Sequence, residues 1–398
     1  MTGTGTAAAG PATRREWLGL IVLTLPCALV TMDLTVLNLA LPELSEDLQP
    51  TSSQLLWTVD IYGFLVAGFL ITMGALGDRI GRRRLLLIGS AAFGVASLLA
   101  AISPTVEALI ASRALLGIAG ATLAPSTLSL IRTMFTDPRQ RTMAIGVWTA
   151  GFAAGAALGP VLGGVLLEFF WWGSVFLLAV PVMVLVLALG PVLLPEYRNP
   201  EARWPDLTGV ALSVAAVLAV IHGLKQVAEH GWGTEPGLFI AGGLIAGAAF
   251  VMHQRRSTNP MVDLGLLRIP AVTASLATNT FGLAVVFGAY LLMAQYMQLV
   301  LGLSPLRAGL WTLPSALMMI TGSLLTPLLV RVARPRHIMG GGFLLTAVGL
   351  VVLAQVDGGD DLAVVVGASM VFAIGASPAM TLATDLIVGS APPERAGA

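Results

Sequence analysis

Apolar residues along this chain fall into runs of about twenty or more, the length at which an α-helix spans a bilayer. Charge, proline and glycine interrupt the runs and divide the chain into twelve predicted helices. These lie at about 17–41, 54–77, 84–102, 105–133, 142–168, 173–194, 207–228, 237–253, 271–300, 305–330, 338–356 and 362–390. The predicted fold class is an all-α polytopic membrane protein.

Composition agrees. Of 398 residues, 56% are hydrophobic and 11% charged, with a mean hydropathy of +0.88. A soluble domain carries charge on about a quarter of its residues. No small-residue cleavage site follows the first run and another run comes soon after it, which argues against a removable signal peptide. The single Cys27 lies inside an apolar run, so neither an intrachain disulfide nor a cysteine metal cluster is available. His222, His230, His253 and His337 match no metal spacing and read as interfacial or loop residues.

The formal net charge is zero, but the charges are sorted by position. With the N-terminus placed in the cytoplasm and the helices alternating, 18 of 21 basic residues fall on the cytoplasmic side. Opposite loops carry Glu43, Glu46 and Asp47, and later Asp357, Asp360 and Asp361. The positive-inside rule then selects a multi-pass protein of the cytoplasmic (inner) membrane with a cytoplasmic N-terminus. The chain stops at "SAPPERAGA", a turn-like segment, so a fragment of a longer protein is expected, with a naturally short product as the alternative.

Between predicted helices 2 and 3 stands "GALGDRIGRRR", residues 74–84. A tight turn here calls on Gly77 and Gly81 for φ > 0. Asp78 is expected near the start of the next helix, where a carboxylate caps free N–H groups and balances the arginines. A plain basic anchor would explain the arginines but neither the aspartate nor the glycine spacing. The stretch resembles the G-x-L-A-D-R-x-G-R-[RK] signature of the major facilitator superfamily, with Gly77 where alanine is commoner. That resemblance implies a conformational latch of ion pairs against a neighbouring helix end, built from Gly74, Gly77, Asp78, Arg79, Gly81, Arg82 and Arg83, with Asp78 and Arg79 as the latch residues.

"GVWTAGFAAGAALGPVLGG", residues 146–164, repeats glycine every four residues, which places small residues on one helical face and admits a close neighbour. Pro160 removes one hydrogen bond and predicts a bend. Generic small-residue packing would suit part of this. The spacing at Gly146, Gly155, Gly159, Pro160, Gly163 and Gly164 matches the antiporter motif of the same superfamily, and the resemblance implies exchange.

Ionisable side chains inside a span are costly and point to function. Asp33, Asp60 and Arg113 lie about nine, six and eight residues from the outer helix ends, or roughly 9–14 Å deep at 1.5 Å per residue. Equal depth makes one buried cluster on spans 1, 2 and 4 feasible. A static pair that stitches the bundle is the bland reading. The functional one is a carboxylate shared in turn by a proton and a cationic substrate. "MDLTVLNLALP", "LIASRALLGIAGA" (with Leu116 where that motif carries Gln), "LLWTVDIYGF" and "LAPSTLSLIRTMF" resemble the fourteen-helix drug:proton antiporters that export quaternary ammonium and similar compounds. The resemblance runs along essentially the whole chain.

By that resemblance the layout is an N-terminal six-helix bundle (1–194), a linker with two extra helices (195–270) and an incomplete second bundle of four helices (271–398), 12 of an expected 14 in all. Trp57, Tyr62, Trp148, Tyr290, Met293, Met297 and Trp311 are candidate walls of a substrate cavity, through cation–π contact and pliable apolar packing; belt and core positions are the bland readings. Asp385 is a remaining acidic candidate near the mouth. The function expected is proton-coupled antiport exporting lipophilic, often cationic drugs or dyes. It needs no cofactor beyond the proton gradient, no metal and no nucleic acid, and the chain is read as monomeric in the lipid bilayer. A superfamily importer, a symporter or an exporter of one metabolite is the nearest alternative. An enzyme lacks a convergent catalytic set, and a nucleotide-driven pump lacks a GxxxxGK[ST] loop.

Overall fold

The computed structural model describes residues 12–198, 206–257, 269–356 and 361–390, with side chains at 138, 139, 142, 149, 153, 271, 327 and 384–390 outside the description. Asp357, Asp360 and the Asp385 side chain thus lie outside the described residues. The elements are α1 (Arg14–Leu48), α2 (Ser52–Ile80), α3 (Arg82–Ala101), α4 (Val106–Gly120), α5 (Leu123–Met134), α6 (Pro138–Phe169), α7 (Ser174–Leu177) and α8 (Ala179–Leu193). They continue as α9 (Leu207–His230), α10 (Thr234–Arg256), α11 (Pro270–Gln295), α12 (Pro305–Val332), α13 (Pro335–Leu353) and α14 (Leu362–Ser390). Among the described residues there is no strand, and twelve helical spans are long and apolar enough to cross a membrane. They are the twelve predicted runs, several extended by a turn or more.

Three runs depart from simple rods. The fourth is split into α4 and α5 at Ala121–Thr122. Pro125 has no N–H to return to the Ala121 carbonyl, and its ring crowds that position. Thr122 instead turns its hydroxyl onto the Ala119 carbonyl at 2.7 Å. The sixth is split into α7 and α8. The ninth ends in a π-helical turn, Tyr296–Val300, before Gly302 at φ 63° opens the way to Pro305.

Helix starts follow their caps. Thr51 and Gln54 form a reciprocal capping box on α2. Thr105 caps α4, Asp206 caps α9 and Ser304 caps α12, each accepting from a backbone N–H three residues on.

The chain forms two compact units. The first contains residues up to Leu34, Asp47–Ala156 and Gly173–His253; the second contains Thr35–Glu46, Ala157–Trp172 and the chain from Gln254. In the first, α2 and α3 both pack on α4, α3 also packs on α8, and α9 lies along α2. In the second, α14 is central and takes α11, α12 and α13 around it. Its core is Val286, Phe372, Ala373 and Ala376, with Tyr290, Met318, Met319 and Met380 packed against them.

Candidate functional site

The buried face of α4 repeats at three and four residues: Leu109, Ser112, Arg113, Leu116, Gly117 and Gly120. Gly117 lets α2 come close, since an added Cβ there would lie 2.7 Å from the Tyr62 carbonyl oxygen. Within that approach Arg113, 1% exposed, spends its donors in three directions. Nη1 pairs with Asp33 Oδ2 of α1. Nε donates to the Thr58 carbonyl at 3.0 Å and Nη2 to the Val59 carbonyl at 3.3 Å, both on α2. The guanidinium also lies 4.8 Å over the Tyr62 ring and 5.8 Å from that of Phe176. Tyr62 is itself fixed, donating its hydroxyl to the Val30 carbonyl at 3.3 Å and meeting Phe93 edge-on. A planar guanidinium with several donors suits this seat as an ammonium would not. Each charge has a partner, which is the condition for holding an ion pair out of water.

Asp60 is not part of this cluster, and the expectation of one three-membered group divides here into two pairs. Asp60 Oδ2 lies 2.9 Å from Lys225 Nζ on α9. Lys225 in turn sits 4.6 Å over the Trp57 ring, and Trp57 neighbours Phe64 and His222. The reason is azimuth. Two residues along a helix turn through about 200°, so Asp60 points away from the side on which Arg113 meets Thr58 and Tyr62. Depth along the sequence predicted the pairing of Asp33 with Arg113 but ignored this rotation. Lys225 was missed as a site residue, although an ammonium inside an apolar run always needs a counter-charge.

At the α2–α3 turn, Asp78 closes the last turn of α2 rather than opening the next helix. Its carboxylate takes Arg82 across the turn, with Nη2 at 2.5 Å and Nε at 2.8 Å. Arg82 stands one helical turn on from Asp78 and so meets its carboxylate across the turn. Arg82 Nη1 reaches the Pro125 carbonyl at 3.4 Å. Arg83 donates to the Pro191 and Leu194 carbonyls at 3.3 and 3.0 Å, satisfying the end of α8 where helix carbonyls lack partners. Glu196, absent from the sequence expectation, accepts from the Arg83 backbone N–H at 3.1 Å. Gly81 alone has positive φ in this turn, at 112°; Gly77 is an ordinary helical residue, pressed by the Arg82 side chain. Gly74 makes only ordinary contact, with Pro125. Arg79 is half-buried in the last turn of α2.

The glycine face of α6 meets α1 in both units. In the first, an added Cβ would lie 2.3 Å from Thr24 at Gly151 and 2.0 Å from the Ala28 carbonyl oxygen at Gly155. Thr31 adds a hydroxyl bond to the Phe152 carbonyl at 2.8 Å. In the second, Gly163 would meet Val36 at 2.1 Å and Gly164 the Pro305 carbonyl oxygen at 2.7 Å. Gly159 is buried, and α6 runs as one helix through Pro160. Gly146 has nothing within 4 Å. Gly151, outside the motif, belongs to the same face.

Of the proposed wall residues, Tyr62, Met293 and Met297 are buried and Trp311 is exposed. Trp148 donates to Thr127 Oγ1 at 3.0 Å and stacks edge-on with Phe152. Tyr290 donates to Ser315 at 3.1 Å and packs on Phe372. Several are therefore held by specific contacts in the core of their own unit. His253 meets Asp206 at 2.8 Å, a pair the sequence did not announce. Among the described residues no group of His, Cys, Asp and Glu could hold a metal ion.

The Major Facilitator Superfamily profile matches residues 24–398. The chain is 42% identical over 384 residues to the multidrug efflux pump LfrA of Mycolicibacterium smegmatis, covering 96% of this chain and 76% of that one. It is 36% identical to the methyl viologen resistance protein SmvA of Salmonella typhimurium, covering 96% and 78%. With the tetracenomycin C resistance and export protein of Streptomyces glaucescens it shares 32% identity, covering 96% and 71%. Solved structures share the fold at lower identity. They include a peptide transporter POT (TM-score 0.67, 22% identity, 94% of this chain and 83% of that one) and a bacterial homolog of the human lysosomal transporter Spinster (TM-score 0.65, 16% identity, 97% and 78%). This chain, whose described residues form twelve helices long and apolar enough to cross a membrane, belongs to the major facilitator superfamily, as a multi-pass membrane transporter with drug efflux and resistance proteins among its relatives.

Proposed function

We propose that the chain is a proton-coupled antiporter of the fourteen-helix drug-export branch, with α9 and α10 as the inserted pair. It works in the cytoplasmic membrane with its N-terminus inside and expels lipophilic cations by alternating access. The observation that carries this reading is the Asp33–Arg113 pair, buried between α1, α2 and α4 against aromatic rings. Asp33 is the coupling carboxylate. Protonation there releases Arg113 from its counter-charge and removes the anion that holds a cationic substrate. Deprotonation restores both. Proton and cation therefore exclude one another at one group, which is the requirement of exchange. The Asp78–Arg82 bridge and the Arg83 contacts with α8 are the latch of one state. The relatives named for multidrug efflux and drug resistance support the substrate class.

Exchange of one proton for one monovalent cation moves no net charge and draws only on the pH gradient, about 1.4 kcal/mol per unit. A second proton would add about 2.3 kcal/mol per 100 mV of membrane potential. The test is ethidium transport in proteoliposomes under an imposed pH gradient. Wild-type chain is expected to move ethidium against its gradient, a protonophore to stop it, and Asp33→Asn to insert normally but lose the coupled movement. Coupled transport retained by Asp33→Asn would overturn the reading.

A further inference from the structure

Lys225 is the chain's single lysine among 21 basic residues, and it occupies a place built to recognise cations. Its ammonium lies 2.9 Å from Asp60 Oδ2 and 4.6 Å over the Trp57 ring. Trp57, Asp60 and Phe64 are three and four residues apart on α2 and share one face, while His222 and Lys225 share one face of α9. Phe239 of α10 closes on the His222 ring at 4.4 Å. The Asp60 side chain keeps 37% of its surface exposed, whereas that of Lys225 keeps 9%. The anionic side of the seat is open, and the cation that fills it is covered. A carboxylate beside an indole face is the chemistry that holds a quaternary or lipophilic monocation. A lysine is also the side chain best able to leave such a seat, being a point charge on a flexible four-carbon stem.

We infer that Asp60 and Trp57 form a binding site for lipophilic monocations, and that Lys225 is a tethered competitor that sets its specificity. With the ammonium seated, the site is neutral and closed to weakly binding cations. A ligand with more apolar surface than the lysine stem displaces the ammonium and takes both the carboxylate and the ring. This inference rests on the proposed export of cations and names a second cation seat, separate from the Asp33–Arg113 pair. If Lys225 merely pins α9 to α2, removing it would weaken the fold and add no binding.

The experiment measures equilibrium binding of radiolabelled tetraphenylphosphonium to the purified chain in nanodiscs, without a proton gradient. Lys225→Gln is expected to raise affinity roughly tenfold, since the competing internal cation is gone. Lys225→Arg is expected to bind like wild type. Asp60→Asn combined with Lys225→Gln, which leaves no uncompensated charge, is expected to abolish the gain. A change of less than about twofold in Lys225→Gln, below the free-energy difference a displaced charge contact should give, overturns the inference, as does a gain that survives Asp60→Asn. A second measurement uses the wild-type protein alone. Saturating tetraphenylphosphonium should raise labelling of Lys225 by an amine-reactive ester roughly threefold, as the ammonium is displaced; unchanged labelling overturns the inference. Failure of gradient-driven ethidium transport with these binding results intact would instead sink the proposed antiport.

Discussion

Gly146 and Gly155 belong to one motif on one helix, yet the structure assigns them opposite responses to a single methyl group. A Cβ at Gly155 would lie 2.0 Å from the Ala28 carbonyl oxygen and 2.5 Å from Thr31 Oγ1, whereas at Gly146 nothing stands within 4 Å. Real Cβ contacts do not fall below 3.0 Å, so Gly155→Ala must drive α1 and α6 apart by at least 1.0 Å, the difference between 3.0 and 2.0. The neighbour is main chain and cannot swing aside. Overpacking of this kind costs about 1–3 kcal/mol, and the separation also stretches the Thr31 bond to the Phe152 carbonyl. Against this, alanine gains about 0.5–1 kcal/mol over glycine in a helix interior. Gly155→Ala is therefore expected to lower the melting temperature of the detergent-purified chain by a few degrees, and Gly146→Ala to leave it unchanged or raise it slightly. Size-exclusion fluorescence after a heating series reads both. Equal melting of the two variants, or a larger loss at Gly146, would refute the steric account and leave the motif's spacing without this cause.

Gly81→Ala is expected to cost about 1–3 kcal/mol through its left-handed backbone, with further crowding because its Cβ would lie 2.7 Å from Glu196. Gly81→Ala/Glu196→Ala should recover only the crowding part on the same melting assay. Arg113→Leu strands a buried carboxylate and should cost about 3–5 kcal/mol, seen as poor monodispersity, while Arg113→Leu with Asp33→Leu should regain most of the fold. Tyr62→Phe keeps the ring beneath Arg113 and loses the bond to the Val30 carbonyl, for a predicted loss of about 0.5–1.5 kcal/mol by thermal melting.

Apolar runs revealed the helices because a bilayer imposes one requirement, length, on every span, and composition meets or fails it locally. The breaks within runs were harder. Pro125 was visible in the sequence, but whether a proline bends a helix or ends it depends on its neighbours: α6 passes through Pro160 unbroken while α4 stops before Pro125. Asp33 and Arg113 were legible as partners because each is a charge with nowhere else to go. Asp60 was not, since its partner stands 165 positions along the chain, at Lys225, and helical rotation rather than depth decides which way it faces. The turn motif disclosed its residues but not its wiring. Beyond the Asp78–Arg82 pair, Arg82 and Arg83 answer to carbonyls and to Glu196, groups that no spacing within "GALGDRIGRRR" could announce.

Two of the acceptors that hold Arg113 are peptide oxygens, at positions 58 and 59. Such oxygens are common to every amino acid. Scanning mutagenesis along that stretch of α2 would leave them in place at each step and record silence. Position 113 would then look important while residues 58 and 59 looked inert, leaving the Tyr62 ring as its one visible partner on α2. Amide-to-ester replacement at residues 59 and 60, which weakens the carbonyls of 58 and 59 as acceptors, is the substitution that would make the hidden half of the contact audible.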